Sequence, residues 1–473
     1  MAKRRSCIVV GSGPNGLAAA IVLAQAGHSV TVLEAEPTIG GGTRSAELTL
    51  PGFVHDICSA IHPLGIASPF FRSLPLSDHG LEWIHPPIPL AHPLDDGTAV
   101  VLDRSFEATG ASLGADAPAW RELFWPLVTS SETLLDALLA PLFPPRHPLA
   151  MARFGLTGMR SARAVAESRF KGERARALFA GIAAHSVIPL EAPFSASFGL
   201  MLGMMAHASG WPFPRGGTQR IADAMTGYLG SLGGRVLTGR RVASPSDVAG
   251  ADAVLFDLTP RQLAAIGADR FPPAYRRRLE KYRYGAAAFK MDWALSGPIP
   301  WRARECARAG TVHVCGTLDE VSASEKAACG GRNSDRPFVL LAQPSLFDPS
   351  RAPAGKQTAW AYCHVPNGSA VDMTERIEAQ VERFAPGFRD LILARHAMGP
   401  AEIEKHNANY VGGDIVGGSN DAAQLFARPV ASFDPYRTPV KGWFICSAST
   451  PPGGGVHGMS GFHAARLALR SLR

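Results

Sequence analysis

Two interleaved α/β domains are predicted for this 473-residue chain by three observations. A glycine-rich turn joins a short apolar strand to a small-residue helix near the start, a long helical pattern fills residues 118–209, and strand-like segments return between 286 and 363 and again near 442. The pattern reads as a Rossmann-type nucleotide-binding domain interleaved with an α+β domain made of a mixed sheet and a helical insertion. The expected division is 1–75, 210–283 and 425–473 for the first domain, with 76–209 and 284–424 for the second. The length suits two cores rather than one.

Cys7–Val10 is the first strand, Gly11–Gly16 a turn, Leu17–Ala26 a helix and Ser29–Leu33 a second strand. Residues 51–93, rich in Pro and His, read as irregular chain. The helical pattern of 118–209 breaks at 141–148 and 189–193. A helix over 218–232 leads to strands at Arg235–Ala243 and Ala253–Asp257. The later strands are Phe289–Leu295, Thr311–Gly316, Phe338–Gln343 and Gly442–Cys446, with a charged amphipathic helix at Thr374–Phe384 and a closing helix after the glycine-rich loop 451–461.

Apolar residues at 46% against 18% charged mark a globular chain, and 49 Gly with 38 Pro lack the period of a fibre. The net charge of +7 is modest; its densest cluster, Arg276, Arg277, Arg278, Lys281 and Arg283, reads as a solvated helix face, with an anionic membrane surface second. No nucleic-acid-binding signature accompanies it, so no nucleic-acid partner is expected. The seven cysteines are dispersed without a C-x-x-C pair, which argues against a dithiol centre and fits a reducing, cytoplasmic setting. The basic segment Met1–Ser6 precedes an apolar run too short for an export signal. The apolar stretch Phe198–Ala208 is about half a membrane span. No histidine, carboxylate or cysteine cluster points to a metal.

The sharpest chemistry lies in Gly11-Ser12-Gly13-Pro14-Asn15-Gly16, a G-x-G-x-x-G between a strand and a helix. The first glycine permits the turn, the second admits a pyrophosphate to the backbone, and the third lets helix and strand pack. Free N–H groups at the positive helix end then face the anion. Glu34 stands 21 residues after Gly13, where a carboxylate accepts from ribose hydroxyls; Ala35 follows it. With Glu36 nearby and no neighbouring Arg in sequence, a 2′-phosphate is disfavoured. Gly40, Gly41, Gly42, Thr43 and Arg44 form a second candidate nest for phosphate oxygens. No second fingerprint occurs downstream, so one bound dinucleotide is expected.

The run from Ile8 to Ser45 resembles the phytoene dehydrogenase-like FAD oxidoreductases, relatives of the flavin amine oxidases. Pro51-Gly52-Phe53-Val54-His55-Asp56 and the C-terminal block are most similar to the branch that includes pyridine nucleotide-disulphide oxidoreductase domain-containing protein 2. The resemblance implies FAD as the cofactor. Cys446-Ser447-Ala448-Ser449-Thr450-Pro451-Pro452-Gly453-Gly454-Gly455-Val456-His457-Gly458 is similar to the family segment C-G-A-G-T-H-P-G-G-G-V-H-G, which implies that Gly454, Gly455, Val456 and Gly458 line the flavin. Ser447, Ser449 and Pro451 depart from it. Pro214–Thr218 resembles the family's P-x-G-G turn, and Val242 stands where a backbone lies against adenine.

Lys290, with Trp301 eleven residues on, is similar to an amine oxidase segment whose lysine holds a water over flavin N5. The competing reading is a solvent-facing strand lysine. In the first reading Lys290→Met slows one half-reaction and leaves the melting temperature nearly unchanged. Lys290 and His457 are the candidate catalytic residues; His62, His364 and His406 read as structural. Gly412–Gly418 is a flexible cavity loop or a plain surface loop. Phe194, Phe198, Met201, Met204 and Met205 line an apolar channel or pack a core. The expected activity is hydride removal from a hydrophobic, isoprenoid- or polyene-like molecule, with oxygen or a quinone as electron acceptor. Amine oxidation, redox-neutral isomerisation and a non-catalytic flavin-containing partner are the alternatives.

Overall fold

The computed structural model describes residues 4–141 and 145–472. Five parallel strands form one sheet in the order Trp443–Ile445, Ala253–Phe256, Ser6–Val10, Ser29–Leu33, Arg235–Leu237. The apolar runs of the inner strands suit a sheet buried on both faces, while the edge strand Arg235–Leu237 is largely exposed. The helix Pro14–Gln25 follows the first strand and is buried from Asn15 to Ala24. Proline at its first position lacks an N–H that the helix would leave unpaired anyway. Its alanines admit the closing helix Met459–Leu472 at close range: a side chain on Gly461 would collide with the backbone at Asn15.

The second sheet has seven strands, in the order Ile392–Met398, Ala287–Leu295, Gln357–Val365, Val339–Ala342, Ala309–Val314, Ile88–Pro93, Ala99–Leu102. Only the pair Ala309–Val314 and Ile88–Pro93 is parallel. Alternation along Ala287–Leu295 sends Phe289, Met291, Trp293 and Leu295 to one face, where they pack with Ile377, Val381 and Phe384 of the helix Thr374–Phe384. The opposite face carries Lys290 and Asp292, with Tyr362 opposite Lys290 on the neighbouring strand. Residues 106–208 supply the helical insertion, whose helix Ser195–Ala208 is buried among its neighbours; Gly203 leaves room there for the Phe124 ring.

Several sequence expectations need correction. Ile88–Pro93 is a strand rather than irregular chain, because parallel pairing with Ala309–Val314 outweighs its proline and histidine. The strand predicted over Arg235–Ala243 stops at Leu237, and the chain then turns so that Arg240 N–H donates to the Glu34 carbonyl at 2.7 Å. Leu318–Cys329 is a helix capped by Thr317, whose hydroxyl accepts from Glu320 N–H. None of the seven cysteines is paired. Among the described residues no helix is long and apolar enough to cross a membrane, and no cluster of metal-ligating side chains occurs.

Candidate functional site

The glycine turn is built as its residue types demand. Gly11 adopts φ +99°, a conformation costly for any residue with a Cβ, and a side chain on Gly16 would strike the Gly11 carbonyl. The second loop faces the first: a Cβ on Gly41 would lie 3.1 Å from Gly13 Cα. Between the loops Glu34 is buried, its Oε2 accepting from Ser12 N–H at 2.8 Å and Ser12 O–H at 2.6 Å, and its Oε1 from Glu36 N–H at 2.9 Å. Arg44 is buried beside it, 3.6 Å from Glu34, and donates to the His406 carbonyl. Among the described residues the buried Arg44 Nε and Asn15 Oδ1 have no hydrogen-bond partner. Side-chain-free loops, a carboxylate and unpaired polar atoms at one place fit a dinucleotide.

Asp257, which directly follows the strand Ala253–Phe256, completes this region. Its Oδ2 accepts from Gly16 N–H at 2.9 Å and would lie 2.7 Å from a Cβ on Gly13. Burial raises its pKa to about 7, with Glu34 adding to the rise. Sequence reading missed this residue, although an acidic residue at the carboxyl end of a parallel strand stands where such sheets bind ligands. Arg240 and Arg241 also line the nucleotide region, and Arg241 pairs with Glu36 at 3.2 Å; the sequence separation concealed both.

One continuous cavity of about 650 Å³ runs from this region to an apolar end. Gly11, Gly13, Pro14, Asn15, Glu34, Ala35, Gly41, Gly42, Thr43, Arg44 and Val242 line its nucleotide end, and Gly454, Gly455, Val456 and His457 its middle. Gly16 and Gly458 do not line it; Gly16 supports the turn, while Gly458 (φ +69°) makes room for Phe71 and Ala18. The substituted serine of the C-terminal loop has a partner: Ser449 Oγ donates to the Gly417 carbonyl at 2.8 Å. Ile415, Val416 and Gly417 line the cavity. Their loop is held rather than free, since the buried Asp414 accepts from the N–H groups of Gly285, Val416, Gly417 and Gly418.

His457 is 1% exposed, and its Nδ1 accepts from Met459 N–H at 3.0 Å, which places the proton of the neutral ring on Nε2. Burial lowers its pKa to about 4, so at neutral pH it adds no cation to the cavity. His62 also lines the cavity, bonded to Thr218 Oγ1 at 2.7 Å, while His364 is bonded to Glu325 at 2.8 Å.

Lys290 is not a solvent-facing residue: it is 3% exposed. Its ammonium pairs with Asp292, two positions along on the same face of the strand, and lies 5.9 Å from the Trp360 ring centroid. His55 and His396 each approach Asp292 at 3.6 Å. Burial works against ionisation of Asp292, but Lys290, His396 and His55 together hold its carboxyl below the usual range. Lys290 does not line the cavity; its cross-strand neighbour Tyr362 does.

The apolar end is formed mainly by the helical insertion. Phe194, Phe198 and Met201 line it, whereas Met204 and Met205 are fully buried in the core. Met151, Phe154 and Met159 join them from the segment around the helix Pro148–Gly158. Met159 and Phe426 both line the cavity and reach solvent; Leu149 and Leu156 of the helix Pro148–Gly158 are 81% and 75% exposed.

Fold and site together define an oxidoreductase with a Rossmann dinucleotide-binding domain. A family model described as NAD(P)-binding Rossmann-like domain matches residues 9–74. Pyridine nucleotide-disulfide oxidoreductase domain-containing protein 2 of Mus musculus is 24% identical, over 98% of this chain and 93% of its own. Hydroxyneurosporene desaturase of Cereibacter sphaeroides is 30% identical over half of each chain. A redesigned putrescine oxidase shares the fold, with a TM-score of 0.65 and 17% identity over 99% of this chain and 98% of its own. The chain is thus a homologue of the first two, carries the fold of flavin amine oxidases, and fits the FAD oxidoreductase superfamily.

Proposed function

We propose that the chain binds FAD along the cavity and removes hydride from an apolar small molecule seated at its far end. The observation that carries this reading is the continuity of the cavity, from the glycine nests and Glu34, past Gly454–His457, to the apolar wall. Bound there, FAD supplies a two-electron acceptor, while the protein supplies binding, orientation and dry surroundings. Backbone N–H groups of the two glycine loops would hold the pyrophosphate, Glu34 would accept from a ribose hydroxyl, and Val242 would back the adenine. The start of the helix Met459–Leu472 follows the cavity-lining run Gly453–His457, where its positive end would favour negative charge on the reduced flavin.

The substrate class follows from the wall. Phe194, Phe198, Met201 and Phe154 present apolar surface, and among the described residues no carboxylate lines that end: Glu34, Glu36 and Asp257, the acidic residues that line the cavity, all belong to the nucleotide end. An ammonium group finds no counter-charge there, which favours a hydrocarbon-rich molecule over an amine. Exposed Leu149, Leu156, Met159 and Phe426 beside the apolar end suit transfer of such a molecule from a membrane surface, with Arg153 and Arg160 exposed in the same segment. We assign the chain to the cytoplasm, peripheral to a membrane, with oxygen or a quinone as final electron acceptor.

Anaerobic mixing of flavin-loaded protein with apolar isoprenoids and with amines tests this. Bleaching by an isoprenoid, reversed by oxygen or a quinone, is the expected result; bleaching by amines alone would overturn the substrate class.

A further inference from the structure

The apolar end of the cavity contains two polar groups that the proposed reaction has not used. His185 follows the helix Glu173–Ala183 in a short turn and lines the cavity. Its Nε2 is bonded to Nε2 of His313 at 3.0 Å, and among the described residues its Nδ1 has no partner. Tyr362 lines the same cavity, and among the described residues its hydroxyl has no partner. His313, to which His185 is bonded, and Tyr362 lie in one row across the sheet, each directly opposite Leu340 of the strand Val339–Ala342 that runs between them. Val187, Phe194, Phe198 and Leu202 line the same cavity. Val187 and Phe194 both have positive φ, at 55° and 69°, a strain that gathers at ligand sites.

The histidine is firmly placed. His313 and His92 sit on the adjacent parallel strands Ala309–Val314 and Ile88–Pro93, and His92 Nε2 is bonded to the Gly316 carbonyl at 2.7 Å. The absent side chain of Gly181 makes room for both rings: a Cβ there would lie 2.7 Å from His313 Nδ1 and 3.1 Å from His92 Nδ1. The shared hydrogen bond between His185 and His313 allows either ring to donate. When His185 donates, its Nδ1 is an acceptor matched to a hydroxyl; when His313 donates, it is a donor matched to a carbonyl.

We propose that His185 and Tyr362 form a polar subsite that recognises one oxygen function, a hydroxyl or carbonyl, on an otherwise hydrocarbon substrate. This rests on the reading of the apolar end as the substrate site. A plain hydrocarbon that displaces water from these atoms leaves them buried and unpaired, whereas an oxygenated one satisfies them. Sites built around such groups reject the analogue that lacks the matching atom.

Limonene, carveol and carvone share a carbon skeleton and differ by one oxygen function. Calorimetric titration of each into flavin-loaded wild-type protein, His185→Phe and Tyr362→Phe tests the proposal, with melting temperature and flavin content confirming that each variant is folded. Wild-type protein is expected to bind carveol or carvone ~10-fold or more tightly than limonene, and each variant to lose most of that preference. Equal or tighter binding of limonene to wild type would overturn the proposal, as would a preference undiminished in folded variants. Should His185→Phe not fold, the wild-type and Tyr362→Phe titrations decide. Failure of all three ligands to bind would overturn the underlying substrate-site reading instead.

Discussion

Lys290→Met is expected to destabilise the chain by about 3–5 kcal/mol, the typical cost of leaving one member of a buried ion pair without its partner. Asp292 is fully buried, and Lys290 supplies the ammonium that sits against it. Methionine keeps the apolar stem and removes the charge. His55 and His396 offer poor compensation at 3.6 Å, and burial lowers the pKa of His55 to about 4, so its protonation at neutral pH is costly. Lys290→Met with Asp292→Asn should recover part of the loss, because the double variant leaves no bare carboxylate. Denaturant unfolding of the flavin-loaded variants measures this. A single variant as stable as wild type, but with one flavin half-reaction slowed by ~10²-fold, would instead return Lys290 to a role at the flavin. The unchanged melting temperature expected from sequence depended on an exposed ammonium or one held by water, and burial against Asp292 removes that premise.

Glu34→Arg is expected to lower FAD affinity by ~10–100-fold, the range for lost hydrogen bonds to a charged group. The geometry makes the loss broader than one ribose contact. The N–H groups of Ser12 and Glu36 and the Ser12 hydroxyl lose their acceptor, so the turn that holds Gly11 and Gly13 is loosened as well. A second guanidinium would also stand against Arg44, now 3.6 Å from the carboxylate. Equilibrium dialysis of apoprotein against FAD reads the effect; an unchanged dissociation constant would mean that the adenosine half lies elsewhere.

The parts of the molecule legible in its sequence are those whose causes are local. A glycine turn, the apolar run before it and the alanine-rich helix after it lie within 20 residues, so Gly11 to Gly16 announce both the strand and the helix. The helix Thr374–Phe384 is equally legible, because Ile377, Val381 and Phe384 repeat at helical spacing. The strand at Ile88–Pro93 was not, since its partner Ala309–Val314 is remote in sequence and local composition argued the other way. For Lys290 the missed signal was available: in a strand, residues i and i+2 share a face, so Asp292 was its natural partner. For His185, His313 and His92 there was none. They come from a turn and two strands, and only the packing that Gly181 permits brings them together.

The central claim, that this cavity is a flavin site, is tested most directly by identifying the nucleotide released when purified protein is denatured. The account predicts a yellow protein, or a colourless one that FAD reconstitutes, from which chromatography recovers FAD and not FMN. The two glycine loops and Glu34 bind the adenosine diphosphate half that FMN lacks. Recovery of FMN, or a colourless protein that FAD cannot reconstitute, would contradict it.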